Sequence, residues 1–180
     1  MEKQNSAHAQ AYIGLGANLQ RPQQQLESAL EQLGQIAEIT VQRCSSFYRS
    51  APIGPQDQDD FINAVVEVHT SLVPLDLLQQ CQHIENTHGR IRDGEHWGPR
   101  TLDLDLLLYR TISTVNTKNP QWLQLNNPEL YLPHPEIQNR AFVVIPLLEL
   151  KPDIEINTGT LLETLRTTLS HQTLQKLNNT

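Results

Sequence analysis

The sequence predicts an α+β fold: a ferredoxin-like βαββαβ antiparallel sheet with helices packed on it and C-terminal additions. The first observation behind this prediction is the order of the apolar patterns, because runs with strand-like alternation and runs with helical spacing follow one another as β-α-β-β-α-β. The second is length, since 180 residues suffice for one good core and are too few for two comfortable domains. We therefore expect a flexible tail over residues 1–10 and a single domain over residues 11–180.

The first half of the predicted unit begins with the segment AYIGLGANL. Residues 11–16 alternate as a strand does, and we expect the strand to end at a small-residue turn that includes Gly14, Gly16 and Asn18. Pro22 then opens a helix, because proline suits the first helical position and leucines follow it at helical spacing. Residues 39–49 return to an extended pattern, and a turn-rich loop with two prolines and a glycine leads out of them.

The second half begins with the strand-like segment FINAVVEVHTSL, and Pro74 opens the next helix, which we expect to reach about Ile84. The loop HGRIRDGEHWGPR leads into the strand that contains LDLDLLLY. Beyond it we expect a hairpin or long loop over residues 110–128, then a turn and a short apolar helix in LPHPEIQNRAFVVIPLLEL. A final amphipathic segment is expected over residues 161–177.

Composition and charge exclude several classes of protein. The net charge is −7 and the pI about 5.4, which argues against a polyanion binder that works through a diffuse basic surface. Cys44 and Cys81 are too few and too unpatterned for a disulfide framework or a zinc site, so we expect buried thiols. No run approaches the roughly 20 apolar residues of a membrane span, and the polar start lacks a signal peptide's apolar stretch. We therefore expect a cytoplasmic protein that binds neither membrane nor nucleic acid.

Two carboxylates interrupt the most apolar strand. Asp103 and Asp105 stand two residues apart, so strand alternation puts both on one face of the sheet. Such a pair is typical of a Mg²⁺ site, because magnesium takes a few carboxylates and completes its shell with water and substrate phosphates. The alternative is an exposed strand face whose acids form ion pairs with neighbouring arginines.

The arginines near this pair favour a phosphate ligand. Of nine arginines, Arg90, Arg92 and Arg100 lie within eleven residues, on a glycine-bearing loop that also carries Trp97. Carboxylates that hold a metal beside arginines that hold phosphate oxygens form a triphosphate site, and such a loop is typical of a lid. A surface network of ion pairs is the competing interpretation, although it would show charges at helical i,i+4 spacing.

Residues alone leave two other functions open. One is a different two-metal enzyme, a nucleotidyltransferase or a phosphohydrolase, that uses the same Asp-x-Asp pair. The other is a binding module, because ferredoxin-like sheets also bind RNA through aromatic residues on their strands. The acidic central strand and the charge of −7 argue against RNA. No Walker-type phosphate loop occurs, and GLGAN is an incomplete dinucleotide motif that we interpret as a tight turn near the site.

Three segments in order resemble one known family. SSFYRSAPIGPQDQDDFINAVVEV, HWGPRTLDLDLLLY and LPHPEIQNRAF are together similar to 6-hydroxymethyl-7,8-dihydropterin pyrophosphokinases (HPPK) of folate biosynthesis. The resemblance covers about residues 11–150, and WGPRTLDLD is its most specific part. It implies the same ferredoxin-like arrangement that the order of elements predicts.

The resemblance implies a reaction and its partners. ATP would give its β,γ-diphosphate as one unit to the hydroxymethyl group of 6-hydroxymethyl-7,8-dihydropterin, and AMP would leave. The family pattern implies that Asp103 and Asp105 bind two Mg²⁺ ions that bridge the triphosphate. It also implies that Arg90 and Arg92 neutralise charge in the transition state. ATP and the pterin are the expected partners, and we expect a monomer.

The same pattern implies the residues of the two substrate subsites. The nucleotide would contact Gln82, Glu85, Arg92, Trp97, Arg100, His134 and Arg140. The pterin would contact Ser50, Pro52, Ile53, Phe61, Asn63, Trp97 and Phe142. In this assignment the two phenyl rings stack on the pterin, the Asn63 amide binds its edge, and the segment from Ser50 to Ile53 contributes backbone groups.

The chain departs from the family pattern at several positions. His96 stands where some members carry a second arginine, and Glu129 stands where a basic residue can occur. Phe61 replaces a tyrosine and Ser50-Ala51 replaces a Thr-Pro pair, which makes that loop less rigid. Residues 110–128 form a longer segment than in the shortest members. None of these changes removes a predicted metal ligand or a loop arginine.

Overall fold

A computed structural model describes residues 8–90, 98–112, 121–156, 165–166, 169 and 171–177. Its main sheet contains six strands: β1 (Ala9–Ala17), β2 (Ile39–Cys44), β3 (Tyr48–Ser50), β4 (Phe61–Thr70), β5 (Asp103–Thr111) and β8 (Leu174–Lys176). A separate two-stranded hairpin consists of β6 (Leu125–Asn127) and β7 (Leu130–Leu132). The helices are α1 (Pro22–Gln35), α2 (Pro74–Thr87) and α3 (Ala141–Leu150), with a short 3₁₀ turn at Ile137–Asn139.

The main sheet is antiparallel throughout. Its strands lie side by side in the order β5-β1-β4-β3-β8, and β2 also pairs with β4. β2 and β3 lie one after the other along the same edge of β4, since β2 pairs with residues 66–70 and β3 with residues 61–63. β1 and β4 are therefore central, and β5, which is as long as β1, lies beside it at the edge of the sheet.

Helices α1 and α2 cover one face of the sheet. Both begin at a proline, as the sequence predicts, and each buries a stripe of apolar residues spaced three or four apart. Leu26 and Leu33 of α1 and Leu77 and Ile84 of α2 are almost wholly buried. They pack with the odd-numbered apolar residues of β1 in the larger of the two core clusters. This burial explains why these two segments are helical although neither has a side-chain N-cap.

Helix α3 covers the opposite face. It is apolar on nearly all sides and packs with Tyr12, Val65 and Leu107 in the second core cluster. Glu149 near its C-terminal end bonds Ser46 and Tyr48, so α3 is tied to the β2–β3 edge of the sheet. The helices therefore lie on both faces, and the groups of the candidate site lie on the α3 side.

The predicted antiparallel sheet with packed helices is confirmed, with three corrections. Residues 9 and 10 of the predicted tail belong to β1, which begins at Ala9 and pairs there with β4. The expected turn at Gly14 and Gly16 is wrong, because β1 continues to Ala17 and pairs there with both β4 and β5. The final amphipathic segment ends in a strand, β8, at least over its described residues. Residues 1–7 of the predicted tail and residues 113–120 of the predicted hairpin region lie outside the described residues. None of the helices in the described ranges combines the length and the apolar character that a membrane span requires.

Candidate active site

A cavity of about 240 Å³ opens on the α3 face of the sheet. Its floor is β1, where Gly14 and Gly16 present no side chain, and its walls come from β4, β5 and the first residues of α3. Of the residues that the sequence predicts for the site, those lining this cavity are Ser50, Ile53, Phe61, Asn63, Arg100, Asp103, Asp105, His134, Arg140 and Phe142. The fold thus brings together residues from across 93 positions of the chain, from residue 50 to residue 142.

Asp103 and Asp105 are the first and third residues of β5, and both line the cavity. Asp103 pairs with Gly16 and Asp105 with Gly14, so the glycines of β1 leave open space beside both carboxylates. Their side chains are 21% and 37% exposed. Burial and the neighbouring Asp103 raise the pKa of Asp105 to about 6. Because its charged form is disfavoured in this position, the Asp105 carboxylate is suited to bind a cation, whose charge offsets its own.

Three arginines surround the pair. Arg90 contacts Asp103 and Glu85, and Arg100 donates from Nη1 to Oδ2 of Asp103 at 2.7 Å. Arg140 lies 3.6 Å from Asp105. The predicted positive charge beside the carboxylates is therefore present, and the guanidinium groups are within reach of any phosphate bound there.

Glu85 lies behind the cavity wall. Its side chain is 3% exposed, and Oε1 accepts hydrogen bonds from the Leu104 amide at 2.8 Å and from Arg90. The Leu104 amide stands between the two aspartates in the chain, so Glu85 fixes the start of β5 and the guanidinium of Arg90 together. The geometry thus gives Glu85 a supporting position that differs from the cleft-lining position expected from the sequence.

His134 presents a neutral ring to the cavity. Burial, followed by the charge of Arg140, lowers the pKa of His134 to about 4. Its Nδ1 accepts a hydrogen bond from the Glu136 amide at 3.2 Å, which leaves the proton of the neutral ring on Nε2. His134 can therefore donate a hydrogen bond to a ligand at neutral pH.

The other end of the cavity is aromatic and amide-lined. Phe61 at the start of β4 and Phe142 in α3 both line it and are partly exposed. Arg140 lies 5.8 Å from the centroid of the Phe142 ring, so one face of that ring is already paired with a cation. Asn63 of β4 is 3% exposed, and its Nδ2 donates to the Ser50 hydroxyl at 2.9 Å.

Asn18, which the sequence places only in a small-residue turn near the site, has a structural role. Its Nδ2 donates to Gln58 and to the carbonyl of Asp59, and its Oδ1 accepts from the Arg100 amide at 2.7 Å. It therefore connects the end of β1 to both loops that flank the cavity. The signal was present as a polar residue directly after an apolar strand, but only the tertiary structure shows its partners.

Several predicted residues stand elsewhere. Arg92 and Trp97 lie outside the described residues. Pro52, Gln82 and Arg90 are described, yet none of them is among the described residues that line the cavity. Arg90 is connected to the site through its contact with Asp103. Gly14 and Gly16 line it as well, near the site as predicted but on a strand and not in the expected tight turn. Leu107 lines it and was not predicted, because an apolar position on a strand carries no local sign of which cavity it faces.

The family model that matches residues 12–152 is that of the 7,8-dihydro-6-hydroxymethylpterin-pyrophosphokinases (HPPK). The match spans most of the chain and includes every predicted site residue. The chain belongs to the HPPK family. The resemblance read from the sequence is thereby confirmed.

Curated HPPK relatives agree over nearly the whole chain. The 2-amino-4-hydroxy-6-hydroxymethyldihydropteridine pyrophosphokinase of Haemophilus influenzae is 40% identical over 168 residues, which cover 93% of this chain and 98% of that protein. The enzyme of the same name from Pseudomonas aeruginosa is 43% identical over 148 residues, 82% of this chain and 84% of that one.

Solved structures of HPPK domains share the fold. An HPPK-DHPS chain crystallised in complex with substrates matches with a TM-score of 0.65 at 12% identity, over 92% of this chain and 44% of that chain. Wild-type HPPK-DHPS of Plasmodium falciparum with SDX-DHP matches with a TM-score of 0.61 at 14% identity, over 89% and 43% respectively. This chain spans less than half of these two solved chains, and at such identities the likeness concerns the fold.

The two carboxylates suit a Mg²⁺ ion better than they suit a metal ion whose ligands all come from the protein. Within the described ranges, no group of three or more His, Cys, Asp or Glu side chains is placed to hold a metal ion. Mg²⁺ does not require such a group, since it keeps several waters and binds through one or two carboxylates together with substrate phosphates. Asp103 and Asp105 supply that number of carboxylates.

Proposed function

We propose that the cavity on the α3 face is the catalytic site of the HPPK reaction. That reaction, the one of the family to which the chain belongs, is pyrophosphoryl transfer from ATP to hydroxymethyldihydropterin in folate biosynthesis. The observation that carries the proposal is that two carboxylates meet Arg100 and Arg140 at one end of a cavity whose other end is aromatic, while Arg90 contacts Asp103 beside it. One end suits a triphosphate, and the other suits a flat heterocycle.

The charged end holds the nucleotide in this proposal. Asp103 and Asp105 would hold two Mg²⁺ ions, which would polarise the phosphate oxygens and the attacking hydroxyl. Arg100 and Arg140, which now lie against the aspartates, are close enough to exchange those partners for phosphate oxygens. His134 adds a neutral donor through Nε2. Gln82 and Trp97 remain family-based assignments.

The aromatic end holds the pterin. Phe61 and Phe142 line the cavity from β4 and α3, and their partly exposed rings offer stacking surfaces to a flat heterocycle. Asn63 offers an amide to the edge of the ring. Ser50 to Ile53 border the same end, and Pro52 and Trp97 are carried over from the family pattern.

Catalysis in this site rests on positioning and charge neutralisation. The pterin hydroxyl attacks the β-phosphorus directly, so no protein nucleophile takes part. Arg90 is held by Glu85 against Asp103, and this position supports a role in neutralising the charge that develops on the transferred group. Arg92, two residues further, is proposed to share this role as part of the loop that follows.

The topology of the core, the bounds of the domain, the oligomeric state and the cellular location are proposals as well. The strand order β5-β1-β4-β2/β3 with α1 and α2 on one face supports a ferredoxin-like core to which α3 and β8 are additions. We propose one catalytic domain over residues 11–180 that acts as a monomer, in the cytoplasm where ATP is supplied.

AMP formation tests the proposed function. The chain is incubated with ATP and Mg²⁺, with and without 6-hydroxymethyl-7,8-dihydropterin, and the nucleotides are separated by ion-exchange chromatography. We expect AMP and the pterin diphosphate in equal amounts, and only when the pterin is present. ADP or free phosphate as the main product, or AMP attached to an acceptor, would instead support the alternative two-metal enzymes.

A further inference from the structure

We propose that the Ser50 side chain is a positioning residue for pterin recognition, because its hydroxyl fixes the plane of the Asn63 amide. The inference deepens the proposed function and rests on it. The family pattern assigns only backbone groups to the segment from Ser50 to Ile53. The side chain of Ser50 has a different task, and it acts through Asn63.

The amide of Asn63 has neighbours on both adjacent strands. Asn63 lies on the central strand β4, paired with Gly16 of β1 on one side and with Tyr48 of β3 on the other. On the β3 side its Nδ2 donates to Ser50 Oγ at 2.9 Å. On the β1 side its Oδ1 lies over Gly16, where a Cβ would stand only 3.2 Å away. The amide is thus held at one end by a hydroxyl and given room at the other by a glycine.

This geometry leaves the carbonyl oxygen for the ligand. Ser50 and Gly16 both line the cavity, as Asn63 does, and no described residue donates a hydrogen bond to Oδ1. Asn63 is 3% exposed and Ser50 6%, so water competes little for either group. An oxygen held in this way accepts a hydrogen bond from an N–H group at the edge of a flat heterocycle. An amide that could rotate would present its NH₂ group as often as its oxygen, and an ordered acceptor would be lost.

Gly16 also constrains the position of the Asn63 amide. A contact of 3.2 Å is tighter than nine in ten real Cβ contacts, so an alanine here must push the Asn63 oxygen aside by a few tenths of an ångström. The Ser50 bond opposes that movement from the other side. Changes at either residue should therefore disturb the same subsite.

The experiment compares Ser50→Ala, Ser50→Thr and Gly16→Ala with the wild-type chain. KM for the pterin, KM for ATP and kcat are measured from AMP formation, and pterin affinity is measured separately by calorimetry with an unreactive ATP analogue present. We expect KM and Kd for the pterin to rise about tenfold in Ser50→Ala and in Gly16→Ala, while KM for ATP changes less than twofold in Ser50→Ala. Ser50→Thr keeps the hydroxyl and should stay within twofold of wild type.

Ser45→Ala is the matched control. Ser45 is as buried as Ser50, at 6%, and its hydroxyl bonds the Val65 amide at 3.0 Å, but it is not among the described residues that line the cavity. We expect its pterin KM to equal that of wild type. The inference is overturned if Ser50→Ala and Gly16→Ala bind the pterin as wild type does, or if both substrates lose affinity equally in Ser50→Ala and Ser45→Ala. Absence of pterin-dependent AMP formation in wild type would instead remove the proposed function itself.

Discussion

At the scale of single residues, the two aspartates are not equivalent. Among the described residues, Asp103 contacts both Arg90 and Arg100, whereas the ion pair of Asp105 is with the more distant Arg140. Burial and the charge of Asp103 raise the pKa of Asp105, so its charged form is disfavoured by folding. Sequence alone treats the pair as symmetric, and the structure separates their contributions to stability.

We therefore predict opposite stability effects for the two asparagine variants. A group whose pKa is raised by folding loses its stabilising contribution as pH rises through that pKa, so at pH 7 the charge on Asp105 opposes folding. Asp105→Asn should raise the free energy of unfolding by about 1 kcal/mol, a value reduced for solvent screening because the side chain is 37% exposed. Asp103→Asn should lower it by about 1 kcal/mol because two arginines lose their partner. Urea unfolding at pH 7 without magnesium measures both.

Both variants should nevertheless lose turnover by at least about a hundredfold, because each removes a proposed metal ligand. Asp153→Asn is a suitable control, since Asp153 is 81% exposed and pairs only with Lys151 among the described contacts. Wild-type turnover in either site variant would contradict the metal assignment.

For Arg92 the prediction rests on the sequence and the family. Arg92→Ala should lower kcat much more than it lowers nucleotide affinity, because the proposed interaction strengthens in the transition state. Steady-state kinetics with calorimetric ATP-analogue binding separates the two effects. Equal losses in kcat and affinity would place the residue in ground-state binding.

The sequence reveals a residue's role where it breaks a local pattern. Asp103 and Asp105 are conspicuous because they interrupt a leucine strand, and Arg100 because it precedes them. Gly16 and the side chain of Ser50 break no pattern, and their importance depends on a neighbour from another strand. Such cross-strand relations are tertiary, so no local reading of the chain contains them.

At the scale of elements, one carboxylate ties α3 to the sheet. Glu149 accepts hydrogen bonds from Ser46 Oγ and Tyr48 Oη, both at 2.7 Å, and from Lys176 at 3.2 Å. It thereby links α3, which carries Phe142 at the cavity, to β3, which carries Ser50, and to β8. Although burial by itself raises the pKa of Glu149, these hydrogen bonds outweigh it and the pKa lies below its ordinary value.

This arrangement predicts a pH dependence of stability. A carboxylate whose pKa is lowered by folding stabilises the fold above its unfolded pKa, and that contribution is lost as pH falls through the lower, folded value. Glu149→Gln should lower the free energy of unfolding by about 1 kcal/mol at pH 7 and should show a weaker loss of stability on acidification below about pH 4.5. Unfolding curves between pH 3 and 7 test this. Parallel pH profiles for the variant and wild type would contradict it.

The sequence predicts most elements because helix and strand periods differ clearly in them. α1 and α2 begin at their predicted prolines, and β1, β4 and β5 coincide with the alternating runs. It wrongly predicts a turn at Gly14 and Gly16, at the end of the strand expected over residues 11–16, because glycine favours turns locally, whereas pairing on both sides keeps these residues extended. β8 was missed for a similar reason, since its three residues become a strand by pairing with β3.

At the scale of the whole molecule, the distribution of charge favours a compact anion over an extended polyanion. The net charge of −7 repels extended polyanions, while the three arginines at the cavity attract a compact one. We predict that a gel-shift assay with single-stranded RNA at 150 mM salt shows no complex. A complex at micromolar protein would favour the nucleic-acid interpretation.

The central claim is that Asp103 and Asp105 gather divalent ions around the phosphates of ATP. The most direct measurement is anomalous diffraction from a crystal grown with Mn²⁺ in place of Mg²⁺ and an unreactive ATP analogue. We predict anomalous peaks between these two carboxylates and the phosphate oxygens, with Arg90 and Arg100 moved from Asp103 to the phosphates. Peaks elsewhere, with both arginines still bound to Asp103, would contradict the account.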